Sequence, residues 1–253
     1  MSAPPEHGLS VHRRDAGPDA AAVVCVHGSM DRGAAFVKLA RRLDDVTTVR
    51  YDRRGYGRSI DAGVCATLDD QIADLCQVID GERVVLVGHS SGAVIALAAA
   101  SQLGSQVRGV LAIEPPMPWA PWWPRRTAGG VAAATPDPGD AAEAFMRRIV
   151  GDAVWESLPA GTRAQRRAEG PALLADLRML RRDRAPWDPS RLTMPLVVGY
   201  GDATDARHRR AVEVLADAVP GAQVLIVPGA GHNVPTTHPD ALVPAVRLLA
   251  GLR

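Results

Sequence analysis

Cysteine is scarce in this 253-residue chain: Cys25, Cys65 and Cys76 form an odd set with no CxxC pair and no zinc-type spacing. That excludes a disulfide-stapled scaffold and fits a reducing compartment, where a free thiol behaves as a small apolar residue. Charge of either sign is also lacking in excess. The formal net charge is +1, with acidic and basic residues interspersed, so nothing favours nucleic acid or an anionic membrane as partner. No apolar stretch approaches the length of a membrane span, and Met1 to Arg14 contains no apolar signal-peptide region, so a cytoplasmic location is the expectation. A phosphate-cradling loop, a dinucleotide fingerprint and a His/Glu metal pair are missing too, so no cofactor and no metal are expected. There is no internal repeat and no low-complexity tract.

What is present is apolar bulk. Apolar residues make up 47% of the chain and charged ones 23%, enough for one large core and too apolar for disorder. Short β-branched runs alternate with segments of helical spacing. Ala21–Val26, Val46–Asp52, Val84–Val87 and Val107–Glu114 read as strands, with a weak leading strand over Leu9–Arg14. Between them lie helical stretches at Gly33–Leu43, from Thr67 to about Asp80, and Gly92–Leu103; Asp69 and Asp70 sit in the first turn of the second, where the helix dipole favours them. From Pro115 to about Pro195 no strand is evident. This stretch begins Pro-rich, holds all five tryptophans, and shows helical patterns at 139–150, 164–169 and 171–182. Alternation resumes with strand Leu196–Tyr200, a helix over 205–218, strand Gln223–Val227 and a final helix over 239–252. The pattern predicts an α/β fold with a doubly wound, mostly parallel sheet. Ligands bind such sheets at the strand C-terminal ends, so the Trp-rich insertion is expected to cover that edge as a lid. The expected division is a core of residues 1–114 and 191–253 and a helical cap of residues 115–190.

One turn carries the chemistry. Gly88-His89-Ser90-Ser91-Gly92 joins a β-branched strand directly to a small-residue helix. A nucleophilic serine in so tight a turn needs glycine on both sides, because side chains at 88 and 92 would clash. A serine hydroxyl needs a base to take its proton. Of seven histidines, His7, His12 and His208 read as solvated, His27 as a loop-ordering hydrogen bonder, and His238 as a helix-capping neighbour of Pro239. His89 adjoins the nucleophile and points away from it. His232 stands in Gly229-Ala230-Gly231-His232-Asn233, a loop opening on the same sheet edge as Ser90, and is the expected base. Asp202, in Gly199-Tyr200-Gly201-Asp202, is the expected acid; Glu114, at the end of the strand after the nucleophile helix, is the rival position. Backbone donors for a developing oxyanion are expected at Ser91 and at Ser29, with Met30 as the alternative to Ser29. Trp119, Trp122 and Trp123 are candidates for an apolar substrate pocket.

These segments together resemble the α/β-hydrolase superfamily over nearly the whole chain. The resemblance rests on Val26-His27-Gly28, on Tyr51-Asp52-Arg53-Arg54-Gly55-Tyr56-Gly57-Arg58-Ser59, on the Ser90 turn, on the 199–202 turn, on Pro228-Gly229-Ala230-Gly231-His232, and on the chain order Ser, Asp, His. It implies a sheet of about eight strands with a helical cap between strands six and seven, and hydrolysis through a covalent acyl-enzyme. It also implies that 52–59 is a structural loop beneath the site. A serine nucleophile argues against the relatives that use aspartate there, the haloalkane dehalogenases and epoxide hydrolases. The expected function is cleavage of a carboxylic ester, lactone or thioester of a small, fairly apolar acyl substrate. Carbon–carbon bond hydrolysis or biosynthetic acyl release by the same triad is the alternative. A ligand-binding receptor on the same fold is the alternative of another class.

Overall fold

The computed structural model describes residues 8–252. Seven strands are formed among the described residues: β1 (Val11–Arg14), β2 (Ala22–Val26), β3 (Thr47–Tyr51), β4 (Val84–His89), β5 (Val107–Ile113), β6 (Leu196–Gly201) and β7 (Gln223–Val227). They form one sheet in the order β1-β3-β2-β4-β5-β6-β7, parallel throughout except for the antiparallel edge pair β1/β3. One strand precedes β2, so the sheet has seven members rather than about eight, and the cap lies between the fifth and sixth strands instead of the sixth and seventh.

Strand β2 shows why the sheet is covered on both faces. All five of its residues are buried, with Val24 and Val26 facing one helical layer and Val23 and Cys25 the other. The first layer comprises α2 (Leu68–Ile79), α3 (Ser91–Leu103) and α9 (Ala206–Ala218); the second comprises α1 (Val37–Ala40) and α11 (Val243–Ala250), with α10 (Val234–Thr237) beside it. Helix α2 starts where its sequence says it should: Thr67 caps the Asp70 amide and the Asp70 carboxylate returns the bond to Thr67. Helix α3 is apolar all round, and residues 91–101 are buried, as such a helix must be. Its alanines let it lie close against β4 and β5.

Five helices intervene between β5 and β6: α4 (Ala128–Ala132), α5 (Pro138–Val150), α6 (Asp152–Ser157), α7 (Ala160–Ala168) and α8 (Gly170–Leu180). The sequence pattern marks α5, α7 and α8. The other two are five and six residues long, too short for periodicity to register. The cap has its own apolar centre, Trp155 with Ala141, Ala142, Met146 and Leu173, which also takes in Met30 and Tyr56 from the core.

Charge ties cap to core. Asp176 of α8 is buried and receives both terminal nitrogens of Arg53 at 3.0 and 2.7 Å, the Tyr56 hydroxyl at 2.8 Å and the Ser29 hydroxyl at 2.7 Å. Burial by itself would lower the Arg53 pKa, but the carboxylate opposite reverses the balance and holds it above its ordinary value. A second tie joins Glu169, just before α8, to Arg32 at 2.5 Å and to the Gly57 amide at 2.9 Å. Both ties use residues of the 52–59 loop or its neighbour. Removing one member of a buried ion pair leaves the other unpaired in a dry site. Asp176→Ala is therefore expected to lower stability by roughly 3–5 kcal/mol, read from urea unfolding curves.

Candidate active site

Strand β4 ends at His89 and α3 begins at Ser91, so Ser90 has no spare chain on either side. It adopts φ 53°, ψ −126°, a conformation a side-chain-bearing residue takes only when its surroundings compel it. The compulsion is visible in its neighbours. A Cβ on Gly92 would stand 2.2 Å from the Val26 carbonyl oxygen, and one on Gly88 would stand 2.5 Å from the Ala93 Cα. The Ser90 amide donates to the Ile113 carbonyl at 2.9 Å, which pins the turn to β5.

Glu114 follows β5 directly and is fully buried. It too has a positive φ, 49°, and its amide donates to the Gly199 carbonyl. Its carboxylate is hydrogen-bonded on both oxygens: Oε1 accepts from the Gly201 amide at 3.0 Å, and Oε2 accepts from the Thr204 hydroxyl at 2.9 Å and from His232 Nδ1 at 2.5 Å. A buried carboxylate with three donors is well provided for in a dry site. The His232 ring is one quarter exposed by contrast.

Asp202, the expected acid, stands elsewhere. Its carboxylate is exposed and accepts the Gly229 amide at 2.7 Å, while its own amide donates to the Val227 carbonyl. It braces the start of the loop that carries His232 and does not reach the ring. The expectation is corrected by geometry: the 229–232 loop turns its imidazole toward the end of β5, and the carboxylate that meets it is Glu114.

His208 is also corrected. Sequence places it on an arginine-rich, solvated face, yet it is buried, at 6% exposure, against His232 with ring centroids 4.6 Å apart. Trp123 meets its ring edge-on at 5.3 Å. Its Nε2 accepts from Arg207 Nε at 3.3 Å, so its proton sits on Nδ1, facing Glu114 Oε2 at 3.9 Å. Burial first, then the His232 and Arg207 charges, push its pKa down to about 2. On the other side of His232, His89 donates from Nε2 to the His232 carbonyl at 2.8 Å and so ties the glycine loop to the Ser90 turn. Burial and the neighbouring His232 bring the His89 pKa down to about 3. His27 orders a loop: its Nε2 accepts the Arg53 amide at 2.8 Å while Nδ1 donates to the Gly28 carbonyl.

Ser90, Ser91, Ser29 and His232 share the wall of a cavity of about 440 Å³ beneath the cap. No direct hydrogen bond joins Ser90 Oγ to His232 among the described residues, although both side chains face the same cavity. Ser29 and Ser91 are linked through their hydroxyls at 2.9 Å, above Arg53 and Asp176. Met30 lies off this cavity, on a smaller one of about 190 Å³ that also touches Ser90 and His232, and its carbonyl is taken by Arg166. Among the three candidate tryptophans only Trp123 lines the larger cavity. Trp119 stacks edge-on against Trp187 at 5.4 Å, and Trp122 packs on Trp123 beneath Arg210. Both are half-buried, packed against the core cluster, and neither lies on the cavity wall. A larger hollow of about 910 Å³ lies between β1, β3 and α1 and contains none of these groups. Arg53, Asp176 and His208 are the site residues that sequence reasoning misses as partners. The run of two arginines in the 52–59 loop was the available signal for the first.

Three imidazoles, His27, His89 and His208, are buried with pKa values below their ordinary range. Each binds a proton in the unfolded chain below about pH 6.5 and none in the folded one until far lower. Stability from these groups is therefore complete above pH 7 and is lost as pH falls from about 6.5 toward 3. Denaturant midpoints measured at pH 7.5 and 5 are expected to fall on acidification, and His208→Phe is expected to reduce that fall.

Comparison with known proteins accords with this architecture. A 2-(acetamidomethylene)succinate hydrolase from Mesorhizobium japonicum is 27% identical, the alignment covering 94% of this chain and 90% of that one. Among solved structures, an α/β hydrolase from Sphaerobacter thermophilus is 29% identical with a TM-score of 0.65 over 95% of each chain. The E-2-(acetamidomethylene)succinate hydrolase structure is 25% identical with a TM-score of 0.67, covering 96% of this chain and 95% of its own. The model of the Alpha/beta hydrolase family matches residues 23–245, from β2 to the first turn of α11, and the chain belongs to that family.

Proposed function

We propose that the chain is a serine hydrolase acting on carboxylic esters, lactones or thioesters, with Ser90 as nucleophile, His232 as base and Glu114 as the acid. The observation that carries this reading is the buried Glu114 carboxylate 2.5 Å from His232 Nδ1, on a ring that shares a cavity with Ser90. A carboxylate at Nδ1 holds that nitrogen protonated and leaves the Nε2 lone pair free to accept the Ser90 proton. Ser90 Oγ then attacks the substrate carbonyl carbon, and the carbonyl electron pair moves onto oxygen. The Ser91 amide, at the N-terminus of α3, and the Ser29 amide are the proposed donors to that oxyanion. Its collapse expels the leaving alcohol or thiol, which takes the proton from His232 Nε2. Water, deprotonated by the same ring, attacks the acyl-Ser90 ester, and the returning proton restores the serine. The Glu114 carboxylate facing Nδ1 offsets the imidazolium charge. Support also comes from the positive φ at Ser90, which sets its side chain on the wall of that cavity.

A fluorophosphonate probe is expected to label Ser90, read by mass spectrometry of the tryptic peptide, and to leave Ser90→Ala unlabelled. Labelling elsewhere, or none, counts against the mechanism. For the acid, Glu114→Gln is expected to lower kcat for an aryl ester by about 10³–10⁴, since it offers Nδ1 the wrong partner. Asp202→Asn keeps the acceptor oxygen for Gly229 and is expected to change kcat by less than about tenfold. The reverse order of effects would move the acid to Asp202.

A further inference from the structure

The cavity above Ser90 has an electrostatic character that its apolar residues conceal. Trp123, Phe145, Leu177 and Leu180 supply the greasy part of the wall, but Arg125, Arg181 and Arg207 belong to it as well, and no aspartate or glutamate does. Arg207 is the best fixed of the three. Its guanidinium lies over the Trp123 ring at 5.7 Å, its Nε donates to His208, and Asp205 holds one terminal nitrogen at 2.6 Å from the exposed side. This places a planar cation one residue from His208 and two rings from Glu114, without a carboxylate of its own inside the cavity. Arg125 and Arg181 have no ion-pair partner among the described residues. Other cap arginines are paired, Arg147 with Glu143, Asp152 and Glu156, Arg163 with Glu156, and Arg167 with Asp140 and Glu143, but none of these lines the cavity. Arg125 and Arg181 are exposed at the mouth of the cavity and Arg207 is half-buried, so its wall carries three guanidinium groups and no carboxylate.

A concave, partly dry wall of one sign selects ligands of the other, by focusing the field and by penalising like charge. We propose that the substrate is an acyl compound bearing a carboxylate apart from the scissile bond, and that Arg207, with Arg125 and Arg181, receives that carboxylate. Guanidinium suits the task, because its forked donors match both carboxylate oxygens. The proposal names the substrate class of the serine-hydrolase reading and rests on it. The carboxylate sits on either the acyl side or the leaving side of the bond, and the substrates below separate the two.

The test uses matched pairs with the full chain: para-nitrophenyl hemiglutarate against para-nitrophenyl pentanoate for the acyl side, and para-acetoxybenzoate against phenyl acetate for the leaving side. In one pair the anionic ester is expected to show kcat/KM at least about tenfold above its neutral match, a preference that shrinks as ionic strength rises. Arg207→Gln combined with Arg181→Gln is expected to bring that ratio to about one. Arg126→Gln and Arg182→Gln, beside the cavity arginines in sequence but off its wall, are expected to leave the ratio unchanged. No preference in either pair, while the neutral esters are cleaved, overturns the anionic subsite and leaves the hydrolase intact. A second readout needs no turnover: glutarate titrated calorimetrically into Ser90→Ala is expected to bind, and to bind at least about tenfold more weakly once Arg207 and Arg181 are glutamines. If no ester is cleaved and Ser90 is not labelled, the hydrolase reading falls while this titration still decides the subsite. Absence of glutarate binding overturns the subsite.

Discussion

Gly92 lies so close to the end of β2 that a single added carbon would stand 2.2 Å from the Val26 carbonyl oxygen, and the placement of the site follows from that closeness. It lets α3 begin against the sheet with no connecting loop, which forces the residue before it into a left-handed conformation and lifts the Ser90 side chain above the strand ends. The same approach brings the start of α3 beside the loop after β2, so Ser91 and Ser29 meet hydroxyl to hydroxyl. A side chain at position 92 would separate helix from strand and dissolve each of these relations together.

Around that turn the molecule stores its buried charge in two clusters of different kind. Under Ser29 and Ser91, Arg53 and Asp176 form an ion pair further bonded by Tyr56 and Gln71, so the cap is anchored to the floor of the site and not only laid over it. Behind His232 lies the Glu114 carboxyl, flanked by His208, and burial lowers the pKa of both His208 and His89. The first cluster is closed, each strong donor facing an acceptor. In the second, His208 Nδ1 has no acceptor within hydrogen-bond reach. A packed neutral ring on one face of His232 and the His89 bond to its carbonyl restrict the ring to the plane that meets Glu114.

The cap shows the limits of periodicity most clearly. Helices α5 and α8 are readable because each buries an apolar stripe over eleven or more residues, and α5 is capped by Asp137 with Pro138 behind it. Helices α4 and α6 are single turns or little more, held by the packing of their own Ala132 and Trp155 into the apolar centre of the cap. The tryptophans illustrate the same point from another side. Their concentration in one stretch marks the cap, but whether a ring faces substrate or another ring depends on where the Pro-rich 115–124 segment bends, and only Trp123 reaches the cavity.

By itself the sequence determined the parallel sheet, the order of its strands and helices, the tight turn at Ser90, and the convergence of the 88–92 and 229–233 segments on one edge. Each of these follows from local residue type and the handedness of strand–helix–strand connections. Only the tertiary structure decided which carboxylate meets His232. Glu114 and Asp202 end adjacent strands, β5 and β6, and both stand where an acid is useful. The choice turns on the direction of the glycine loop: Asp202 is spent on the Gly229 amide at the base of that loop, while Glu114 lies under its far end. A contact between residues 118 positions apart has no local signature for sequence reasoning to find.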